Sequence, residues 1–163
     1  MRNSTIRPAT VGDVPVILEL IRALATYERA PNEVTASEET LREVLFGEKP
    51  AAEVLLLFEG DIAAGFAVFF HNFSTWLGRS GLYLEDLFVR PEHRGKGYGR
   101  ALLVYLAGIA RDRACGRMEW AVLDWNAPAI DFYKKLGAAP LEEWKIFRLT
   151  RDGMAKLAAE DSA

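Results

Sequence analysis

One cysteine and two histidines among 163 residues leave little material for redox or metal chemistry. Cys115 has no second thiol to pair with, and no Cys/His spacing matches a metal site, so neither a disulfide nor a bound metal is expected. A catalytic thiol needs a basic or helix N-terminal setting; Cys115 falls at the end of its helix beside Gly116 and is read as structural. His71 and His93 belong to no motif. Long apolar runs are missing as well. Nothing approaches the ~20 residues of a membrane span, and the opening Met-Arg-Asn-Ser-Thr is no secretory leader, so a cytoplasmic location without a membrane partner is expected. An excess of either charge is also lacking: a formal net charge of −3 argues against nucleic acid as the main partner and favours a cationic ligand only mildly.

Apolar residues, by contrast, make up half the chain. That is enough for a real core and, at this length, too little for two typical domains, so a single domain over residues 1–163 is expected. A strand near Thr5–Arg7 leads through a Thr10-x-x-Asp13 cap into a helix over about Asp13–Tyr27. A Thr35-x-x-Glu38 capping box opens a second helix, with Leu41, Val44 and Leu45 on its apolar face and Gly47 at its end. Val54–Glu59 and Ile62–His71 form a hairpin about Gly60-Asp61, and a loop through Trp76 and Gly78 leads to a third strand, Leu82–Val89. A helix then starts near Gly97, with Leu102, Leu103, Leu106, Ile109 and Ala110 on one side. A strand at Met118–Leu123, a helix over Ala127–Leu136, a strand at Trp144–Leu149 and a tail helix Arg151–Glu160 complete the order. The class predicted is α/β, a mixed and mainly antiparallel sheet with helices on both faces.

Chemistry concentrates between Val89 and Arg100. Glycines at 95, 97 and 99 fall in the loop and first turn of the Gly97 helix, where backbone N–H groups lack partners and the helix dipole is positive. Without Cβ atoms, a bulky anion can approach those N–H groups, and Arg94, Lys96 and Arg100 add charge around them. The spacing excludes two familiar loops. Gly95-Lys96 is followed by Gly97, leaving no hydroxyl for the magnesium of a P-loop, and position 100, where a dinucleotide fingerprint needs glycine, is arginine. A pyrophosphate or phosphorylated nucleotide is the predicted ligand; an ordinary solvated strand-to-helix loop is the plain alternative.

Just upstream, Glu85 and Asp86 interrupt an apolar strand. Buried charge is costly, and neighbours on a strand face opposite ways, so at most one looks into a given pocket. Asp86 is assigned to a bulge or sheet edge, and Glu85 to binding or deprotonating an ammonium group. Downstream, Asn126 reads as a helix cap, Pro128 as a first-turn residue and Gly137 as a stop. Phe132 and Tyr133 fit a core; Tyr133 also carries a phenol, ordinarily of pKa about 10, able to protonate a leaving thiolate.

Arg94-x-x-Gly97-x-Gly99, with Asn126, then Tyr133 seven residues on, and Gly137 behind, resembles the GCN5-related N-acetyltransferases over nearly the whole chain. Within that family, residues 82–89, 121–126, 132–138 and the Ala-Thr-Tyr-Glu of 25–28 resemble the spermidine/spermine (diamine) and thialysine N-epsilon-acetyltransferase branch. The resemblance implies an acyl-CoA N-acyltransferase fold with two splayed central strands, acetyl-CoA as cosubstrate, no metal and a homodimer. It assigns the pantetheine arm to the backbone of Leu87, Phe88 and Val89, and the pyrophosphate to Arg94, Gly95, Lys96, Gly97, Tyr98, Gly99 and Arg100. Asn126, Pro128, Ala129, Tyr133 and Lys135 become further cosubstrate contacts. Glu85 becomes the base or amine binder, Tyr133 the general acid, and Tyr27, Glu28, Trp76 and Glu85 the amine pocket. Where a polyamine enzyme of this branch has Asp-Pro-Trp, this chain has Ser74-Thr75-Trp76, without the carboxylate for a distal ammonium; a lysine-like side-chain amine is favoured. A protein lysine or N-terminal acetyltransferase, and a non-catalytic acyl-CoA sensor, are the alternatives.

Overall fold

The computed structural model describes residues 4–160, whose contacts group into two units that divide between Ala121 and Val122. The first unit holds the sheet. Its strands β1 (Ser4–Pro8), β2 (Glu53–Glu59), β3 (Ile62–Ser74), β4 (Arg79–Val89) and β5 (Met118–Trp120) lie side by side in chain order. The pairs from β1 to β4 are antiparallel, whereas β5 runs parallel to β4 because a crossover helix, α3 (Tyr98–Asp112), returns the chain between them. Two helices, α1 (Val14–Tyr27) and α2 (Glu38–Phe46), occupy the connection from β1 to β2. The mixed, mainly antiparallel sheet is therefore the one expected.

Both faces of the sheet are covered. On one, Ile17, Leu20 and Leu24 of α1 pack with Val54, Leu56, Ala63, Phe66 and Phe88. Alternation sends Leu55 and Leu57 to the other face, where α3 lies against β2, β3 and β4 and buries Leu102, Leu103 and Leu106. A 3₁₀ turn over Val11–Asp13 precedes α1, which starts at Val14. Asp13 accepts from Thr10 N at 2.7 Å and from both Arg7 terminal nitrogens at 2.7 and 2.9 Å, tying β1 to the helix start.

Three local expectations need correction. The cap of α2 is Ser37, not Thr35: Ser37 Oγ accepts from Thr40 N at 3.1 Å and Thr40 Oγ1 from Ser37 N at 3.0 Å, which leaves Glu38 and Glu39 in the first turn, beside the positive end of the dipole. β5 stops at Trp120 rather than Leu123. The strand expected over Trp144–Leu149 is not formed. Its apolar pattern has the right period, but a strand needs a neighbour's N–H and C=O groups, and Ile146 and Phe147 are 76% and 92% exposed.

The second unit contains α4 (Ala127–Lys135) and α5 (Arg151–Glu160). Asn126 caps α4 by accepting from Ala129 N at 3.4 Å, and Gly137, at φ 92°, ends the segment in the left-handed region that favours glycine.

Candidate functional site

One extra residue in β4 organises the site. Opposite β3, Val68 pairs with Asp86 but Phe69 pairs with Leu84, so Glu85 is left over as a bulge. Past it, alternation resumes on the shifted register. Tyr83 (opposite Phe70), Asp86 (opposite Val68) and Phe88 (opposite Phe66) therefore share the α1 face. Ring contacts follow suit: Tyr83 lies 5.1 Å from Phe70, and Phe88 lies 6.5 Å from Phe66 and 6.4 Å from Tyr27. Glu85 itself is exposed.

Asp86 is the acid that the sequence reading passed over. Burial, then the neighbouring charges of Glu85 and Glu28, push its carboxyl up to about 6. Glu28, which caps the C-terminal end of α1 next to Tyr27, is also raised by burial. Two carboxyls reluctant to ionise on one face form a place where an ammonium group is stabilised and a proton is easily accepted. The signal in the sequence was the adjacent pair of acids inside an apolar strand; the bulge is what turns one of them to the α1 face.

Beyond the bulge the strand has an open side. β5 pairs only with Leu82–Leu84, so among the described residues Glu85–Val89 has no ladder neighbour on that side. Arg90 N donates to Ala64 O at 2.8 Å, which fixes the alternation: Phe88 directs its backbone groups into β3, whereas Leu87 and Val89 direct theirs to the open side. Of the three residues expected to offer backbone there, two do. Val89 O is already accepting, from Arg94 Nε at 2.9 Å.

The glycine loop follows. Gly95 (φ 76°) and Gly97 (φ 81°) both lie in the left-handed region, and Gly97 is the N-cap of α3. A Cβ added at either would meet nothing within 4 Å, so the loop opens outward as an anion cradle does. The three nearby cations are used differently. Arg94 stacks its guanidinium over Tyr27 (4.4 Å) and Phe88 (5.6 Å). Lys96 Nζ donates to both oxygens of Glu59 at 2.8 Å. Arg100 is exposed in the first turn of α3, and Tyr98 is buried.

Not every expected residue joins this cluster. Trp76 stands 93% exposed at the β3–β4 turn, and β4 carries the chain roughly 23 Å from Arg79 to Asp86 at about 3.3 Å per residue. The second unit holds Pro128, Ala129, Tyr133 and Lys135 on α4 and Asn126 at its N-cap, with the half-buried Tyr133 ring 5.4 Å from Phe132. Among the described residues no three His, Cys, Asp or Glu side chains converge as metal ligands, and no helix is long and apolar enough to cross a membrane.

Residues 18–138, which include Tyr27, both strand acids, the glycine loop and Tyr133, match the model of the acetyltransferase (GNAT) family. Thialysine N-epsilon-acetyltransferase of Bos taurus is 42% identical over 166 residues, covering 95% of this chain and 97% of that protein. L-ornithine N5-acetyltransferase of Arabidopsis thaliana is 34% identical over 196 residues, covering 93% of this chain and 86% of that protein. Among solved structures, an integron cassette protein from the mobile metagenome of V.cholerae aligns with a TM-score of 0.82 at 29% identity, over 97% of this chain and 99% of that one. By the span of the family match and by these identities, the chain belongs to the acetyltransferase (GNAT) family.

Proposed function

We propose that this chain is an enzyme that transfers the acetyl group of acetyl-CoA to the primary amine of a small, lysine-like molecule. The observation that carries the proposal is one strand with cation-favouring acids at its bulge and an anion-favouring glycine loop just past its end. A cationic acceptor and a polyanionic donor are then held on either side of the open backbone edge at Leu87 and Val89. Acetyl-CoA supplies the activated acetyl group. The outward N–H groups of Leu87 and Val89 and the Leu87 C=O receive its amide-bearing arm as a surrogate strand, and an N–H there polarises the thioester carbonyl. Gly95, Gly97 and Gly99 with the first turn of α3 and Arg100 receive the pyrophosphate, and Asn126, Pro128, Ala129 and Lys135 are assigned by family analogy to the remaining contacts.

Glu28 and Asp86 hold the substrate ammonium beside Tyr27 while Glu85, directly or through water, takes its proton. The free amine attacks the acetyl carbon, the C–N bond forms as the C–S bond breaks, and Tyr133 delivers a proton to the departing sulfur; the new amide nitrogen sheds its second proton to water, and Tyr133 takes a proton back from solvent. Thialysine and L-ornithine, named in the relatives above, are amino acids with a side-chain primary amine, which favours this class over long polyamines; so does Ser74-Thr75-Trp76. Family resemblance also carries a homodimer, which sedimentation would check.

The test is a CoA-release assay with thialysine, ornithine, lysine, diamines, spermidine, spermine and short peptides. Turnover of the amino acids with little on spermine is expected. A signal confined to peptides would replace this reading with a protein acetyltransferase, and CoA binding without any turnover would replace it with a sensor.

A further inference from the structure

The loop that follows β4 is tied down from a strand two places away in the sheet. Glu59, the last residue of β2, pairs in the ladder with Ser4 and Ile62, and its carboxylate reaches the glycine loop. Lys96 Nζ lies 2.8 Å from each of its oxygens, and His93 Nδ1 meets Oε2. These partners bracket Gly95, with His93 before it and Lys96 after it, and Lys96 lies between the two left-handed glycines. Glycine is the residue that loses most freedom when ordered. A loop with three glycines therefore needs restraint from elsewhere if its N–H groups are to be aimed before an anion arrives, and a single carboxylate bonded to the side chains on either side of Gly95 supplies it.

We propose that Glu59 is a positioning residue that holds the glycine loop in its anion-accepting shape, and that Lys96 serves this tether rather than the phosphates. The inference rests on the loop being the acetyl-CoA pyrophosphate site. It reassigns the local charge: Lys96 is spent on Glu59 and Arg94 on Tyr27 and Phe88, so backbone N–H groups and Arg100 are left to meet the pyrophosphate.

The sign of one substitution separates positioning from simple charge. Were Glu59 only a counter-charge, Glu59→Gln would release Lys96 toward the anion and lower the KM for acetyl-CoA. As a tether, Glu59→Gln raises that KM about tenfold, the affinity equivalent of ordering one further backbone residue, with kcat and the amine KM within about twofold. Hydrogen exchange in the ligand-free protein reads the tether itself. The His93 and Arg94 amides, bonded to Arg90 O at 2.9 Å and Pro91 O at 3.2 Å, exchange faster in the variant, while amides of α1 do not change. Lys96→Met, which leaves the carboxylate in place, gives the same loop-specific acceleration and guards against a Glu59 variant that fails to fold. A lower or unchanged KM, or unchanged loop exchange in both variants, overturns the proposal. Loop exchange that accelerates in a protein whose native form does not bind acetyl-CoA leaves the tether standing and overturns the functional reading instead.

Discussion

Asp86→Asn should make this protein more stable and a poorer catalyst, and both effects can be worked from the structure. Moving the carboxyl from its ordinary 3.8 to about 6 corresponds to about 3 kcal/mol of folding free energy at neutral and alkaline pH. Below 3.8 both folded and unfolded chains hold the proton, and nothing is lost. As pH rises toward about 6 the unfolded chain ionises first, so stability falls across that window, and above it the folded protein bears the whole penalty. Asparagine keeps the shape of the side chain without its charge. The variant should gain up to about 3 kcal/mol at pH 8, about 6–12 °C in Tm for a chain of this size, and little or nothing at pH 4. Urea unfolding of both proteins at pH 4, 6 and 8 measures the difference, and the amine KM of the variant should rise severalfold because the ammonium loses a carboxylate. A gain of equal size at every pH, or a variant less stable at pH 8, would refute the assignment of Asp86 as a half-buried acid whose ionisation costs stability.

Two further substitutions test the proposed chemistry. Tyr133→Phe removes only a phenolic proton, so kcat should fall by about 10²-fold or more while the acetyl-CoA KM stays within about twofold; steady-state kinetics with unchanged kcat would remove Tyr133 from the mechanism. Glu85→Gln should shift the rise of kcat/KM to higher pH, since the amine must then shed its proton without help. A pH profile superimposable on the native one would exclude Glu85 as the base.

The parts of this molecule that were legible in the sequence are those whose causes are local. The β2–β3 hairpin announces itself through Gly60-Asp61, α3 through its apolar spacing, and the tight loop before α3 through glycines that adopt positive φ at 95 and 97. The misplaced cap of α2 shows two hydroxyl signals in competition. Thr35 with Glu38 and Ser37 with Thr40 both look competent, and the second pair wins because each of its hydroxyls satisfies the other's N–H. What escaped has distant causes. Lys96 looks like a phosphate ligand until Glu59, 37 residues away in sequence, is found holding it. Trp144–Leu149 has the alternation of a strand, yet alternation does not say which neighbour completes the ladder.

Asp86 escaped for a subtler reason, and it connects the two halves of the site. Strict alternation from Leu84 would have put Phe88 with Leu84 and Leu82 on the α3 face, and Asp86 with them. With Glu85 bulged, Leu82 and Leu84 stay on that face while Asp86 and Phe88 cross to α1, where Phe88 finds Phe66 and Tyr27, and Asp86 finds Glu28. The same extra residue bends β4 just where its pairing with β5 ends, leaving the Leu87 and Val89 backbone groups facing outward. In a regular strand Asp86 would lie on the α3 face, away from Glu28. The residue that disturbs the ladder is thus what sets Asp86 and Glu28 on one face beside the open strand edge at Leu87 and Val89, and it carries Phe88 into the core under α1 in the same step.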